Sequence, residues 1–85
     1  MPGADHSRIE LFGTPSCRFT AEMREDLLWR GVAFDEYDVN ADSEALHRMM
    51  DMTGGQGMVP VLVEDGEVTQ IGVGGRGCYV NPRTK

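Results

Sequence analysis

The chain has few of the residues on which several common protein classes depend. Its 85 residues include only two cysteines, Cys17 and Cys78, which are too far apart to form a Cys-x-x-Cys pair, and with the histidines they offer no closely spaced zinc ligands. Eight basic residues stand against fourteen acidic ones, giving a formal net charge of −6. Since no basic stripe is present to displace phosphate counterions, we expect no binding to nucleic acid. Since the cysteines and histidines offer no closely spaced ligands, we also expect no metal site.

Long apolar runs are also missing. No stretch approaches the roughly 20 apolar residues that cross a bilayer. The opening segment MPGADHSRIE lacks the basic and apolar regions of a signal peptide. We therefore expect a monomer with no membrane association and a cytoplasmic location, where the reducing environment disfavours a structural disulfide. A hydrophobic content of 40% is nevertheless enough for one globular domain spanning residues 1–85.

Strand-like and helix-like patterns alternate along the chain. Apolar periodicity and turn residues predict strands at 8–13, 32–39, 59–64 and 67–72, a helix over 17–30, and a second helix that starts within 40–43 and ends at the glycines of 53–57. The first two strands should be parallel, and Asp65-Gly66 predicts a hairpin between the last two. The fold class is therefore α/β with a four-stranded mixed sheet, a flexible arm at 1–7 and an irregular tail at 76–85 in place of a full third helix.

Cys17 lies where the first strand turns into the first helix. Backbone N–H groups at a helix N-terminus stabilise a thiolate and lower the pKa of a thiol, and Arg18 adds a nearby cation. The alternative is a small buried residue, because free cysteine is often buried. Cys17 precedes the apolar stripe of the helix, however, so the pattern favours a reactive thiol.

Three segments in register resemble the glutaredoxin family. They are TPSCRFT (14–20), which resembles the active-site segment T-P-x-C-P-Y-C, MVPV (58–61), which resembles the T-V-P segment, and IGVGG (71–75), which resembles the Gly-Gly turn after the fourth strand. The closing GGRGCYV, with a C-x-x-T centre, is similar to the glutaredoxin-like UXX-star group, many of whose members carry selenocysteine at the position of Cys17. The resemblance implies a thioredoxin-like fold with a short or absent final helix.

The resemblance also implies thiol–disulfide exchange with a single nucleophile, Cys17, acting on glutathione mixed disulfides or protein disulfides. Glutathione would be a co-substrate, with no cofactor bound. Pro60 would be cis, and Val59 would pair its backbone with the peptide part of glutathione. The residues implied to border the substrate groove are Arg18, Phe19, Val59, Pro60, Gly74, Gly75 and Arg76.

The sequence departs from the family pattern at positions near the thiol. Thr20 replaces the resolving cysteine of dithiol glutaredoxins, and its hydroxyl could either donate a hydrogen bond to the thiolate or bond within its helix. Cys78 follows the Gly-Gly turn, and we hypothesise that it resolves oxidised Cys17. Otherwise, it is a spare thiol in the tail. Arg76 stands where many glutaredoxins have an acidic residue for the amino end of glutathione, and Thr14 stands where many have a lysine, which weakens the case for glutathione.

Two other functions fit parts of the same pattern. Monothiol glutaredoxins bridge a [2Fe–2S] cluster, and Phe19 and Thr20 match the last two residues of their C-G-F-S centre, although Arg18 replaces its glycine. The chain could instead be a non-catalytic binding module on a redox fold. In that case, Cys17 should react with thiol probes no faster than a model peptide does.

Overall fold

A four-stranded mixed sheet forms the centre of the computed structural model, which describes residues 8–80. In chain order the elements are β1 (Ile9–Gly13), α1 (Arg18–Trp29), β2 (Asp35–Asp38), α2 (Ser43–Thr53), β3 (Met58–Val59), β4 (Val61–Glu64), β5 (Glu67–Ile71) and β6 (Cys78–Tyr79). The sheet order is β2-β1-β4-β5, with β1 parallel to β2 and antiparallel to β4. The predicted mixed sheet is therefore confirmed.

The two helices lie on opposite faces of the sheet. Side chains alternate along each strand, so neighbouring residues of one strand pack against different helices. Leu11 and Leu62 pack with Met23 and Leu27 of α1 on one face. On the other face, the larger cluster surrounds α2 and includes Phe12, Val39, Ala45, Leu46, Met49, Val59, Val61 and Val63. The central strand is thus buried on both faces, with Leu11 and Phe12 at 0% exposure.

Local sequence signals set the helix ends and the hairpin. At the end of α1, Gly31 has φ +72° and the N–H of Val32 donates to the Leu27 carbonyl at 3.0 Å, which completes a Schellman motif. Asp42 caps α2 by accepting from the backbone N–H groups of Glu44 and Ala45, both at 3.1 Å. Asp65 and Gly66 both have positive φ, as a type I′ hairpin requires.

The structure corrects three of the predicted boundaries. The strand expected over 32–39 is limited to β2, since the N–H of Val32 is used in the helix cap and residues 32–34 run as a loop. The strand expected over 59–64 is two strands separated at Pro60, and only β4 joins the main sheet. The tail expected to be irregular from residue 76 contains β6, which pairs with β3 in a second, two-stranded sheet.

No third helix occurs between residues 8 and 80. Within that range no helix has the length and hydropathy needed to cross a membrane. The predicted arm at 1–7, with His6, and the end of the predicted tail at 81–85 lie outside the described residues.

Candidate functional site

A turn between β1 and α1 places Cys17 at the start of the helix. The N–H of Cys17 donates to the Thr14 carbonyl at 3.3 Å, and the Cys17 carbonyl accepts the N–H of Ala21 at 3.1 Å. Cys17 is the N-cap residue, with φ −88° and ψ 120°. The first turn of α1 contains no acidic side chain, so no carboxylate there opposes the positive end of the helix dipole, and in this disulfide form the Cys17 side chain makes no capping hydrogen bond.

A glycine turn brings the second cysteine to the same place. Gly74 and Gly75 have φ +61° and +82°, a conformation that side chains with a Cβ rarely adopt. On either side of them, the Val73 N–H donates to the Arg76 carbonyl at 2.7 Å and the Arg76 N–H donates to the Val73 carbonyl at 3.0 Å. The chain therefore reverses after β5 and runs back alongside β3.

Cys17 and Cys78 are joined in a disulfide, with their Cα atoms 6.0 Å apart. The two residues are 61 positions apart in sequence, and the pairing of Val59 with Cys78 in the β3–β6 ladder fixes the second sulfur beside the first helix. The structure thus brings together the two cysteines that the sequence left in separate segments.

The disulfide is largely buried. Cys17 is 2% exposed and belongs to the core cluster on the α2 side of the sheet, while Cys78 is half-buried against that cluster. Cys17 lies at the helix N-terminus, as predicted, and it is also buried, as the alternative interpretation expected. Cys78, which is bonded to Cys17, contributes to this burial. That the Cys17 thiol is reactive stays a prediction.

The Val59–Pro60 segment lies next to the disulfide. The Val59–Pro60 peptide bond is cis, and both side chains are buried. The Pro60 carbonyl accepts the N–H of Gly72 at 2.7 Å, which ties this segment to the end of β5. Of the residues expected to border the groove, Gly74, Gly75 and Arg76 form the exposed reversal that leads to Cys78.

The side chains that follow Cys17 differ in their surroundings. Arg18 is exposed, with its guanidinium carbon 6.0 Å from the ring centre of Phe19, and Phe19 is half-buried against the core. Thr20 is fully buried and its Oγ1 accepts the N–H of Thr14 at 3.4 Å. Among residues 8–80, the hydrogen bonds of Thr20 include none with Cys17, so in this disulfide form the hydroxyl supports the turn before the thiol.

The β3–β6 ladder was not predicted from the sequence, although two glycines could have indicated it. A Cβ on Gly77 would overlap the carbonyl oxygen of Val59, and a Cβ on Gly57 would lie 2.8 Å from the carbonyl oxygen of Val80. Neither residue has a positive φ, so these glycines are needed for a close approach of two backbones. Glycine at both positions is therefore the sequence signal that indicates the ladder.

Metal ligands do not gather at this site or elsewhere in the part of the chain that the structure covers. Between residues 8 and 80, no group of three or more His, Cys, Asp or Glu side chains is arranged to hold a metal ion. The chemistry that the site offers is that of its two sulfur atoms, which can exchange two electrons by forming and breaking one bond.

Comparison with known families identifies the class. The glutaredoxin family model matches residues 9–69, which include Cys17, β3 and the central sheet as far as the middle of β5. The chain therefore belongs to the glutaredoxin family. None of the curated proteins compared with the chain matches it. The narrower resemblance to the UXX-star group stays a prediction.

Solved structures agree with this fold. The thioredoxin-like protein BC3987 superposes with a TM-score of 0.66 at 32% identity, covering 73% of this chain and 84% of that one. A point mutant of BC3987 gives a TM-score of 0.67 at 31% identity, covering 75% and 81%. Glutaredoxin 1 from Francisella tularensis, crystallised with cacodylate, gives a TM-score of 0.59 at 19% identity, covering 78% of this chain and 83% of that one, which bears on the fold alone.

Proposed function

We propose that this glutaredoxin-family protein is a thiol–disulfide oxidoreductase in which Cys17 attacks the substrate and Cys78 resolves the intermediate. The observation that carries the proposal is the Cys17–Cys78 disulfide at the N-terminus of α1. Its position suits a nucleophile, because the helix amides stabilise the thiolate that attacks or leaves. Thr20, which replaces the usual partner cysteine, cannot form this bond.

The proposed reaction proceeds in two exchanges. The Cys17 thiolate attacks one sulfur of a substrate disulfide, the substrate S–S bond breaks, and the first substrate thiolate leaves and takes up a proton. The Cys78 thiolate then attacks the Cys17 sulfur of the mixed disulfide, and the second substrate thiolate leaves as a thiol. The substrate gains two electrons and the protein becomes the disulfide form. Two molecules of a monothiol such as glutathione return it to the dithiol and become a disulfide themselves.

The substrates we propose are glutathione mixed disulfides or protein disulfides. Phe19 and Cys78 pack against the core cluster that contains Cys17 and Val59, and the reversal at 74–76 that leads to Cys78 is exposed. We expect these residues, with Pro60, to border the substrate groove. Arg18 and Arg76 are exposed cations on the two segments that carry the cysteines, which favours an anionic partner on a protein whose net charge is −6. We assign to Thr20 the role of supporting the Cys17 turn; donation of its hydroxyl to the thiolate in the dithiol form is the alternative.

Steady-state kinetics with cysteine variants test the proposal. Cys17→Ser should abolish reduction of both a glutathionylated peptide and a protein disulfide. Cys78→Ser should keep glutathione-dependent removal of glutathione from the peptide but reduce the protein disulfide at least about tenfold more slowly, because the mixed disulfide then has no internal attacker.

Two results would contradict the proposed function. One is equal activity of Cys17→Ser and wild type on either substrate. The other is the appearance of a brown dimer after anaerobic incubation with iron and sulfide, together with no turnover of any disulfide, which would assign the chain to cluster transfer.

A further inference from the structure

The edge of β3 is occupied by the protein's own chain. β3 and β6 are antiparallel, with Met58 opposite Tyr79 and Val59 opposite Cys78. The N–H of Val80 donates to the Gly57 carbonyl at 2.8 Å. Hydrogen-bonded and non-hydrogen-bonded pairs alternate along such a ladder, so Val59 and Cys78 form the next hydrogen-bonded pair. Both main-chain groups of Val59 are therefore taken.

This pairing has the form of a bound cysteine-containing peptide. An extended peptide that adds to a strand edge pairs its backbone with that strand, and the side chains between provide specificity. Here residues 77–80 supply the extended peptide, the Cys78 backbone pairs with Val59, and the Cys78 sulfur is bonded to Cys17. A substrate in mixed disulfide with Cys17 needs the same edge and the same sulfur position.

Resting on the proposed function, we propose that residues 77–80 are a built-in substrate strand that closes the β3 edge in the oxidised protein and leaves it on reduction. The oxidised form then excludes external peptides, and each reduction by a monothiol reopens the site. Substrates are cysteine-containing peptides in an extended conformation. Such a peptide takes the place of residues 77–80 on β3 and leaves the rest of the fold unchanged.

The contacts of the segment explain why the disulfide holds it in place. The ladder has only two residue pairs, and a ribbon of that size is marginal without further support. Tyr79 is 75% exposed, and only Cys78 and Val80 pack partly against the core. The approach through the reversal at 74–77 contains three glycines, which gain conformational freedom when the segment is released.

The space at Gly77 limits what can precede the cysteine of such a strand. A Cβ at this position would overlap the Val59 carbonyl oxygen and come close to the Met58 side chain. The same restriction applies to an external peptide in this register, so the residue before its cysteine has to be small. The exposed ring of Tyr79 shows that the residue after the cysteine is unrestricted.

Amide hydrogen exchange followed by NMR tests the proposal on the full chain. The disulfide form is prepared by copper-catalysed air oxidation and the dithiol form with a phosphine reductant, so neither depends on turnover of a substrate. In the oxidised protein the Val59 amide should be strongly protected. In the reduced protein its exchange should come within about tenfold of an unstructured peptide, while Leu11 in the central strand stays protected by at least about a thousandfold.

A matched pair of variants separates the strand from the rest of the fold. Oxidised Gly77→Ala should lose most of the Val59 protection although its disulfide is intact, because the added methyl group meets the Val59 carbonyl. Oxidised Tyr79→Ala should keep that protection, because it removes only an exposed ring.

Full Val59 protection in the reduced protein would overturn the proposal, as would unchanged protection in Gly77→Ala. Failure of the proposed function looks different. In that case the exchange results hold, but disulfide substrates do not convert the dithiol form into the disulfide form.

Discussion

The four-stranded sheet and the two-stranded sheet of this protein are stabilised in different ways. β1 is covered on both faces, with Leu11 and Phe12 at 0% exposure in two separate clusters. β6 has an exposed tyrosine and two residue pairs, and it is joined to the rest by a disulfide. The larger sheet is therefore stabilised by burial, whereas we expect the smaller one to depend on a bond that thiols can break.

Charged groups reinforce the larger sheet at the end of β1 opposite to Cys17. The side chain of Glu10 is only 4% exposed, and both of its carboxylate oxygens lie 3.2 Å from Nη2 of Arg48. The hydroxyl of Tyr37 donates to Glu10 Oε2 at 3.2 Å. Since the guanidinium carbon of Arg48 also lies 5.2 Å from the ring centre of Phe12, this cluster fastens α2 to the sheet.

The largest expected effect tests the burial of the main sheet. Phe12→Ala removes a fully buried ring that stacks on Tyr37 with centroids 4.9 Å apart. We expect the free energy of unfolding to fall by about 3–5 kcal/mol. Tyr79→Ala in the small sheet is the control and should change it by less than about 0.5 kcal/mol. Urea denaturation measures both, and similar losses in the two variants would remove the contrast between the sheets.

Reduction of the disulfide should have the next largest effect. The bond closes a segment with a sequence separation of 61, and such a link contributes about 2–4 kcal/mol. The oxidised form should therefore unfold at a higher temperature than the reduced form. Cys78→Ser should unfold at the temperature of the reduced wild type, with or without a reductant in the buffer. A Cys78→Ser variant as stable as the oxidised protein would contradict this account.

A smaller effect is expected at the charged cluster. Glu10→Gln leaves Arg48 without its carboxylate, and because Arg48 is 45% exposed the loss should be about 1–3 kcal/mol. A double-mutant cycle with Arg48→Met should give a positive coupling energy. Disulfide reduction should proceed at the wild-type rate in Glu10→Gln. A slower rate in the folded variant would mean that the two ends of β1 are not independent.

The smallest effect is expected at Thr20. Thr20→Val keeps the shape of the side chain but removes the acceptor of the Thr14 N–H, so stability should fall by about 1 kcal/mol. Thr20→Ser should retain the hydrogen bond. Alkylation of reduced Cys17 by iodoacetamide separates the two roles of the hydroxyl. We expect less than about a twofold change in rate for Thr20→Val. A larger decrease would assign Thr20 as a donor to the thiolate.

Local signals in the sequence are sufficient to predict most of the main sheet. Gly31 and the Asp65-Gly66 turn act through their backbone geometry, and Asp42 acts through its capping side chain. The end of α1, the start of α2 and the hairpin therefore follow from neighbouring residues. Buried positions follow from the apolar periods. The resemblance to the glutaredoxin family, and not the periodicity, connects Cys17 with the Val59–Pro60 segment.

Features that depend on distant residues are harder to predict. β6 has only two residues and no apolar alternation. It is held by backbone pairing with β3 and by the disulfide of Cys78, and not by burial of an apolar face. Glu10 is a charged residue within an apolar strand, yet it is buried because Arg48 and Tyr37 reach it from other elements. Each case requires contacts that no local pattern encodes.

A single turnover, quenched with acid and analysed by mass spectrometry, shows whether Cys17 attacks the substrate and Cys78 then resolves the intermediate. Reduced protein mixed with one equivalent of a disulfide peptide should show a Cys17–peptide adduct first. A peptide pair linking Cys17 to Cys78 should then form at the rate at which the second peptide thiol is released. Release of both thiols with no Cys17–Cys78 link at any time would contradict the account.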